Sequence, residues 1–192
     1  MPKRTLPAAL TVALSAALAT PPEAVRGQEP KFEVNYNVNY FAENGLTAST
    51  DEDFIRHAVR LCALEIQTAK LALAKSTNAE VKAFAEQLVK DHTAIAKTLA
   101  DWATKKNVVL KDDDPALKIK LDRHKSIEAM TGAEFDRAFV AAIMTDQTDA
   151  IALVNNERRN TKDADLVAFA GQTWSTLIAH MNVARPLRAR LS

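Results

Sequence analysis

Four side chains in this sequence stand where the surrounding pattern calls for an apolar residue: Glu65, His92, Asp146 and His180. Glu65 lies seven residues from both Ala58 and Ala72, His92 seven from Ala85 and Leu99, and His180 seven from Thr173 and Leu187. Asp146 continues the row Phe139, Ala142, Ala150 and Leu153. Seven residues is close to two helical turns, so each polar group points where its apolar neighbours point. An unpaired ion buried there is costly unless it gives up its charge. Two carboxylates and two imidazoles converging from four helices are relieved in one of two ways. They pair with one another, as a salt-bridged layer that sets helix register. Or they hold a divalent transition metal, since carboxylate and imidazole are donors that suit iron, manganese or zinc. A single inward histidine is more often a hydrogen-bonded core residue than a ligand, and only the four matched positions raise the metal reading. Asp91 is placed to support an imidazole from behind, and Gln147 is a weaker oxygen donor beside Asp146.

The elements that position these residues are helices. Thr50 with Asp53 opens the first in the manner of a capping box, and Phe54, Ala58, Leu61, Leu64, Thr68, Leu71 and Ala72 follow to about Ser76. Asn78 caps a second helix whose stripe is Val81, Phe84, Ala85, Leu88, Ile95, Leu99 and Trp102, ending near Asn107. After Asp112-Asp113-Asp114, Pro115 suits the first position of a short helix running to about Met130. Thr131-Gly132-Ala133-Glu134 is a second capping box, and Asp163 starts the last helix. Long helices joined by a few residues fold back as hairpins, so the expected fold is all-α: an antiparallel four-helix bundle of two hairpins with a short extra helix in the crossover. A weak internal repeat supports two similar hairpins. Asp53-Phe54-Ile55-Arg56 matches Glu134-Phe135-Asp136-Arg137 at an offset of 81, which sets Asp146 opposite Glu65.

Composition narrows the function classes. The 192 residues include only 4 glycines, which argues against glycine-rich nucleotide folds and all-β sandwiches. The 25 basic and 24 acidic residues nearly cancel, so nothing favours a nucleic-acid partner, which needs clustered Lys and Arg. The one cysteine, Cys62, makes no internal disulfide and no CxxC motif, and is expected to behave as a small buried hydrophobe. His57 and His124 sit beside Arg56, Arg123 and Lys125 and are expected on the surface.

The N-terminus reads as an address. Lys3 and Arg4 precede an uncharged apolar run from Leu6 to Ala19, shorter than a bilayer span and closed by Ala17-Leu18-Ala19. Residues 1–19 are therefore expected to be a signal peptide and 20–49 a flexible arm, with the helical domain over 50–190. That implies export to the periplasm, with outer-membrane association a further expectation.

The segments Asn78-Ala79-Glu80-Val81-Lys82-Ala83-Phe84-Ala85, Val89-Lys90-Asp91-His92-Thr93, Ala63-Leu64-Glu65-Ile66, Thr131-Gly132-Ala133-Glu134-Phe135-Asp136-Arg137 and Leu177-Ile178-Ala179-His180 carry a resemblance. Over residues 51–187 the chain resembles the bacterial exported family catalogued as domain of unknown function 4142. The resemblance implies a ferritin-like four-helix fold in the cell envelope and no known reaction. The family's third long helix usually carries an Asp-His pair, where this chain has Asp146-Gln147. The Glu-x-x-His motif of di-iron bundles is missing too, since Val89 and Leu177 stand three residues before His92 and His180. The expected function is a non-enzymatic envelope protein acting by contacts with a protein or membrane surface. The alternative is a metal-binding ferritin-like protein in storage, sensing or oxidative defence, with Glu65, His92, Asp146 and His180 as ligands and Asp91 and Gln147 behind them.

Overall fold

The computed structural model of the chain describes residue 48 and residues 50–110 and 115–192. The expected signal peptide over 1–19, and the expected arm over 20–49 apart from Ala48, lie outside the described residues. Every regular element described is a helix: α1 (Asp51–Lys75), α2 (Ala79–Lys105), α3 (Pro115–Glu128), α4 (Gly132–Asn160) and α5 (Ala164–Arg190). Among these residues no helix is long and apolar enough to cross a membrane.

Local chemistry sets the helix ends. The Thr50 hydroxyl accepts from the Asp53 amide at 3.1 Å, and Asn78 Oδ1 accepts from the amides of Glu80 and Val81. Asp163 Oδ1 does the same for Asp165 and Leu166. Each cap satisfies donors that the first turn leaves unpaired. The second expected capping box does not form. Thr131 is the N-cap residue of α4, yet its side chain makes no capping bond. Gly132 takes φ +58°, and a Cβ built there meets nothing within 4 Å, so it is the backbone conformation that favours glycine.

Three-residue connections, 76–78 and 161–163, fold α1 back on α2 and α4 back on α5. The hairpins meet through α1 on α4 and α2 on α5, while α3 lies against α4 and α1. The apolar interior divides in two. One core gathers Phe54, Ile55, Leu61, Leu99, Leu153 and Leu166. The other gathers Val81, Phe84, Leu88, Phe135, Phe139 and Leu187, with Phe84 and Phe139 edge to face at 6.3 Å. Between them along the chain, all four long helices contribute buried polar residues: Glu65 and Thr68, His92, Asp146 and Gln147, and His180.

Candidate functional site

The polar layer divides into two constellations. In the first, Glu65 of α1, His92 of α2 and Gln147 of α4 meet at one point. Gln147 Nε2 lies 2.5 Å from Glu65 Oε2 and 2.9 Å from His92 Nε2, and the His92 Nε2 to Glu65 Oε2 distance is also 2.9 Å. Glu65 and Gln147 are fully buried and His92 is 2% exposed. Burial disfavours the imidazolium, but the Glu65 carboxylate overrides it, aided by the nearby Cys62 thiol, and pushes His92 from 6.5 up to about 10. Burial in turn pushes the Cys62 thiol up. Cys62 is thus buried, as expected, and also faces the site.

Three polar atoms in mutual contact cannot all be satisfied by protons. An amide nitrogen on Gln147 donates to Glu65, and then either faces a protonated His92 donor to donor or leaves His92 and Glu65 sharing one proton. Turning the amide puts its oxygen against the carboxylate instead. Every arrangement leaves one edge of the triangle poorly bonded. The far atoms fare no better: Glu65 Oε1, Gln147 Oε1 and His92 Nδ1 are buried without a partner.

His180 completes this side. Its ring centroid is 5.3 Å from that of His92, tilted by 37°. Its Nε2 lies 2.9 Å from Asp91 Oδ2, so Asp91 supports an imidazole as the sequence suggested, and Nδ1 is left buried and unpartnered. Burial holds His180 below the ordinary imidazole range against the pull of Asp91. Partial burial opposes the Asp91 charge, but hydrogen bonds from His180 and Gln87 outweigh it and hold that carboxyl low. A cavity of about 20 Å³ touches Glu65, His92, Cys62 and Thr173 among apolar walls.

The second constellation corrects two expectations. Asp146, expected to share a centre with Glu65 and His92, turns instead to the crossover helix. Its Oδ1 lies 2.9 Å from Lys120 Nζ and 3.3 Å from Arg123 Nη1, and its Oδ2 lies 2.5 Å from His124 Nε2. The residue of α4 that faces Glu65 is Gln147, at an offset of 82, because one residue of helix is a rotation of about 100°. His124, expected on the surface, is 5% exposed, and its Nδ1 contacts the Thr68 hydroxyl. His57 is half-buried. Lys120, also in contact with Asp149, is 3% exposed. Burial opposes the charges of Lys120 and Asp146. Their contact and the His124 hydrogen bond outweigh it, so the ammonium is raised and the Asp146 carboxyl lowered. For Asp149 burial wins, and its carboxyl is pushed up.

Sequence reasoning missed Lys120 because two of the three buried residues described on α3, Lys120, His124 and Ile127, are polar and read from sequence as a solvated face. The signal that could have found it is the four-residue spacing of Lys120 and His124, beside a helix with two acids at Asp146 and Asp149. Among the described residues, no group of three or more His, Cys, Asp and Glu side chains is arranged to hold a metal ion. The first constellation gathers one carboxylate, one imidazole and one amide, with a second imidazole alongside. No curated protein and no solved structure matches the chain. A family described as a domain of unknown function, DUF4142, matches residues 39–187, and the chain belongs to that family.

Proposed function

We propose that the chain is an exported, ferritin-like four-helix bundle of the bacterial cell envelope that works by contact rather than by catalysis. The observation that carries this reading is the internal pairing of the polar layer: Glu65 with His92, His180 with Asp91, and Asp146 with Lys120 and His124. Acids and bases here are engaged with one another, and the adjoining cavity of about 20 Å³ is too small to admit a substrate. What the fold presents outward is a groove of about 350 Å³ between α1 and α3. Leu64, Leu71 and Leu121 give it an apolar floor, with Lys70, Lys125 and one acid, Glu128, beside them. Such a groove suits an amphipathic segment of an envelope protein with acidic flanks.

The test places a photo-crosslinking side chain at Lys70, Lys125 or Val183 in protein expressed with its leader. The expected results are a mature form starting at Thr20 and one saturable product from the two groove positions but not from Val183 on α5. A substrate turned over at a rate that falls in Glu65→Gln or His92→Ala would overturn the reading.

A further inference from the structure

We propose that Glu157 and Asp51 form a proton-operated latch between the two hairpins, closed when they share a proton and loosened when both are charged. The latch lies at the end of the bundle where α1 and α5 begin and α2 and α4 finish. Lys106, just after α2, spans this end. Its Nζ stands 3.5 Å from Asp51 Oδ2 in the first hairpin and 3.1 Å from Asp163 Oδ2 in the second. Glu157 of α4 is the third carboxyl, 4% exposed, with Oε1 buried and unpartnered. It lies within hydrogen-bonding reach of Asp51.

Three carboxyls face one ammonium, so full ionisation leaves like charges crowded beside a buried group. Helix polarity decides which of them takes the proton. Asp51 is in the first turn of α1 and Asp163 caps α5, so both carboxylates meet the positive end of a helix, and both touch Lys106. Glu157 is in the last turn of α4, where the helix dipole opposes a negative charge. It is also the deepest of the three, since the Asp51 and Asp163 side chains are each 33% exposed. Burial first, and then the Asp51 charge, push the Glu157 carboxyl from 4.5 up to about 7.

Protonated Glu157 donates to Asp51 and ties α4 to α1. Once the proton leaves, that bond is replaced by repulsion across the same contact. Other ties on the start of α1 then bear the load: Asn156 Nδ2 donates to the Ala48 carbonyl at 3.4 Å, and Arg56 Nε to the Val109 carbonyl at 3.1 Å. The neighbouring charges are engaged elsewhere or stand in solvent. On α1, Asp53 pairs with Arg56, and on α4 Arg158 lies over the Trp174 ring. On α3, Lys118 pairs with Asp122, and Lys120 with Asp146 and Asp149. Arg159, Lys162 and Asp165 are exposed. His57, half-buried on α1, also titrates in the ordinary imidazole range, and Glu157→Gln separates its effect from that of the latch.

The test is native-state hydrogen exchange on the full chain at pH 6 and pH 8. Protection factors, which remove the intrinsic pH dependence of exchange, are compared in the first two turns of α1 and the last two of α4. With Glu157 at about 7 when closed and at its ordinary 4.5 when open, stability is present below 4.5 and lost as pH rises through 7. Opening should therefore become about tenfold easier between the two pH values, and protection should fall by that factor. Glu157→Gln keeps a donor without the charge and should show no such fall. Asp51→Asn, at a partly exposed position, should lower the Glu157 titration read by carboxyl NMR and shrink the fall. Equal protection at both pH values in the wild type would overturn the proposal. So would a tenfold fall that persists in Glu157→Gln, or exchange at this end that proceeds only by global unfolding, as read from its urea dependence.

Discussion

The crossover helix should be held to the rest of the fold by ions rather than by apolar packing, and Lys120→Met tests this. Of the described inward residues of α3, only Ile127 is a buried hydrophobe; Lys120 and His124 are the others. Lys120 Nζ sits 2.9 Å from Asp146 Oδ1, and its side chain is 4% exposed against 0% for Asp146. At that separation the pair attracts by roughly 6 kcal/mol if the effective dielectric constant is ~20. Desolvation of both ions cancels much of this, so the intact pair contributes little net stability. Removing Lys120 is different, because the buried Asp149 loses its ammonium partner and Asp146 is left with His124 and Arg123 alone. A cost of about 3–5 kcal/mol is then expected, lowering Tm by roughly 6–20 °C. Methionine fills the space of the lysine stem, which keeps the loss from being a cavity effect. Urea unfolding measures the total, and amide exchange over α3 locates it. In an Asp146→Asn background the same substitution should cost at least ~1 kcal/mol less, since the two positions share one interaction. A cost below ~1 kcal/mol, or an equal cost in both backgrounds, would refute the reasoning and show that α3 is docked by its apolar contacts.

Three further outcomes are expected. Glu65 raises His92 from 6.5 to about 10, so the stability from this pair is complete below pH 6.5 and lost as pH rises through about 10. The slope is up to about 1.4 kcal/mol per pH unit and should be missing from Glu65→Gln; a His92 ring resonance titrating near its ordinary value would contradict it. Glu157 is pushed up from 4.5 to about 7 by burial and by Asp51 beside it, so its stabilising protonated form is complete below pH 4.5 and lost as pH rises through about 7. Glu157→Gln should therefore gain about 1–2 kcal/mol over wild type at about pH 8 and nothing below its ordinary range, as read by unfolding at both pH values. Asn78→Ala removes the side-chain acceptor of two amides at the start of α2 and should cost about 1 kcal/mol, while Asn78→Gly costs only tenths.

The long helices were legible because their signals are local. Apolar spacing marks the buried face of each, and Thr50, Asn78 and Asp163 bond the amides two or three residues on, within reach of a short side chain. Where a local signal competes with backbone geometry it misleads. Thr131 has the composition of a capping box, but Gly132 directs the chain through φ +58° and the side-chain bond is not made. The crossover helix was placed by Pro115, yet its inward face was unreadable, since Lys120 and His124 look like surface residues until a buried acid from another helix stands opposite them.

The site was legible to within one residue, and that residue matters. Sevenfold spacing identifies a row on one helix, but its phase is judged against neighbours, and α4 buries residues on more than one face because α1, α5 and α3 all pack on it. Asp146 and Gln147 are both fully buried, so burial alone cannot say which of them faces Glu65. Charge resolves it: the acid goes where Lys120 brings a cation, and the neutral amide goes where Glu65 already supplies the negative charge. Two carboxylates against one His92 would leave an excess negative charge in a dry seam, whereas one carboxylate, one imidazole and one amide are close to neutral. That near-neutrality is why the three groups can stand at 2.5–2.9 Å spacings in a dry seam.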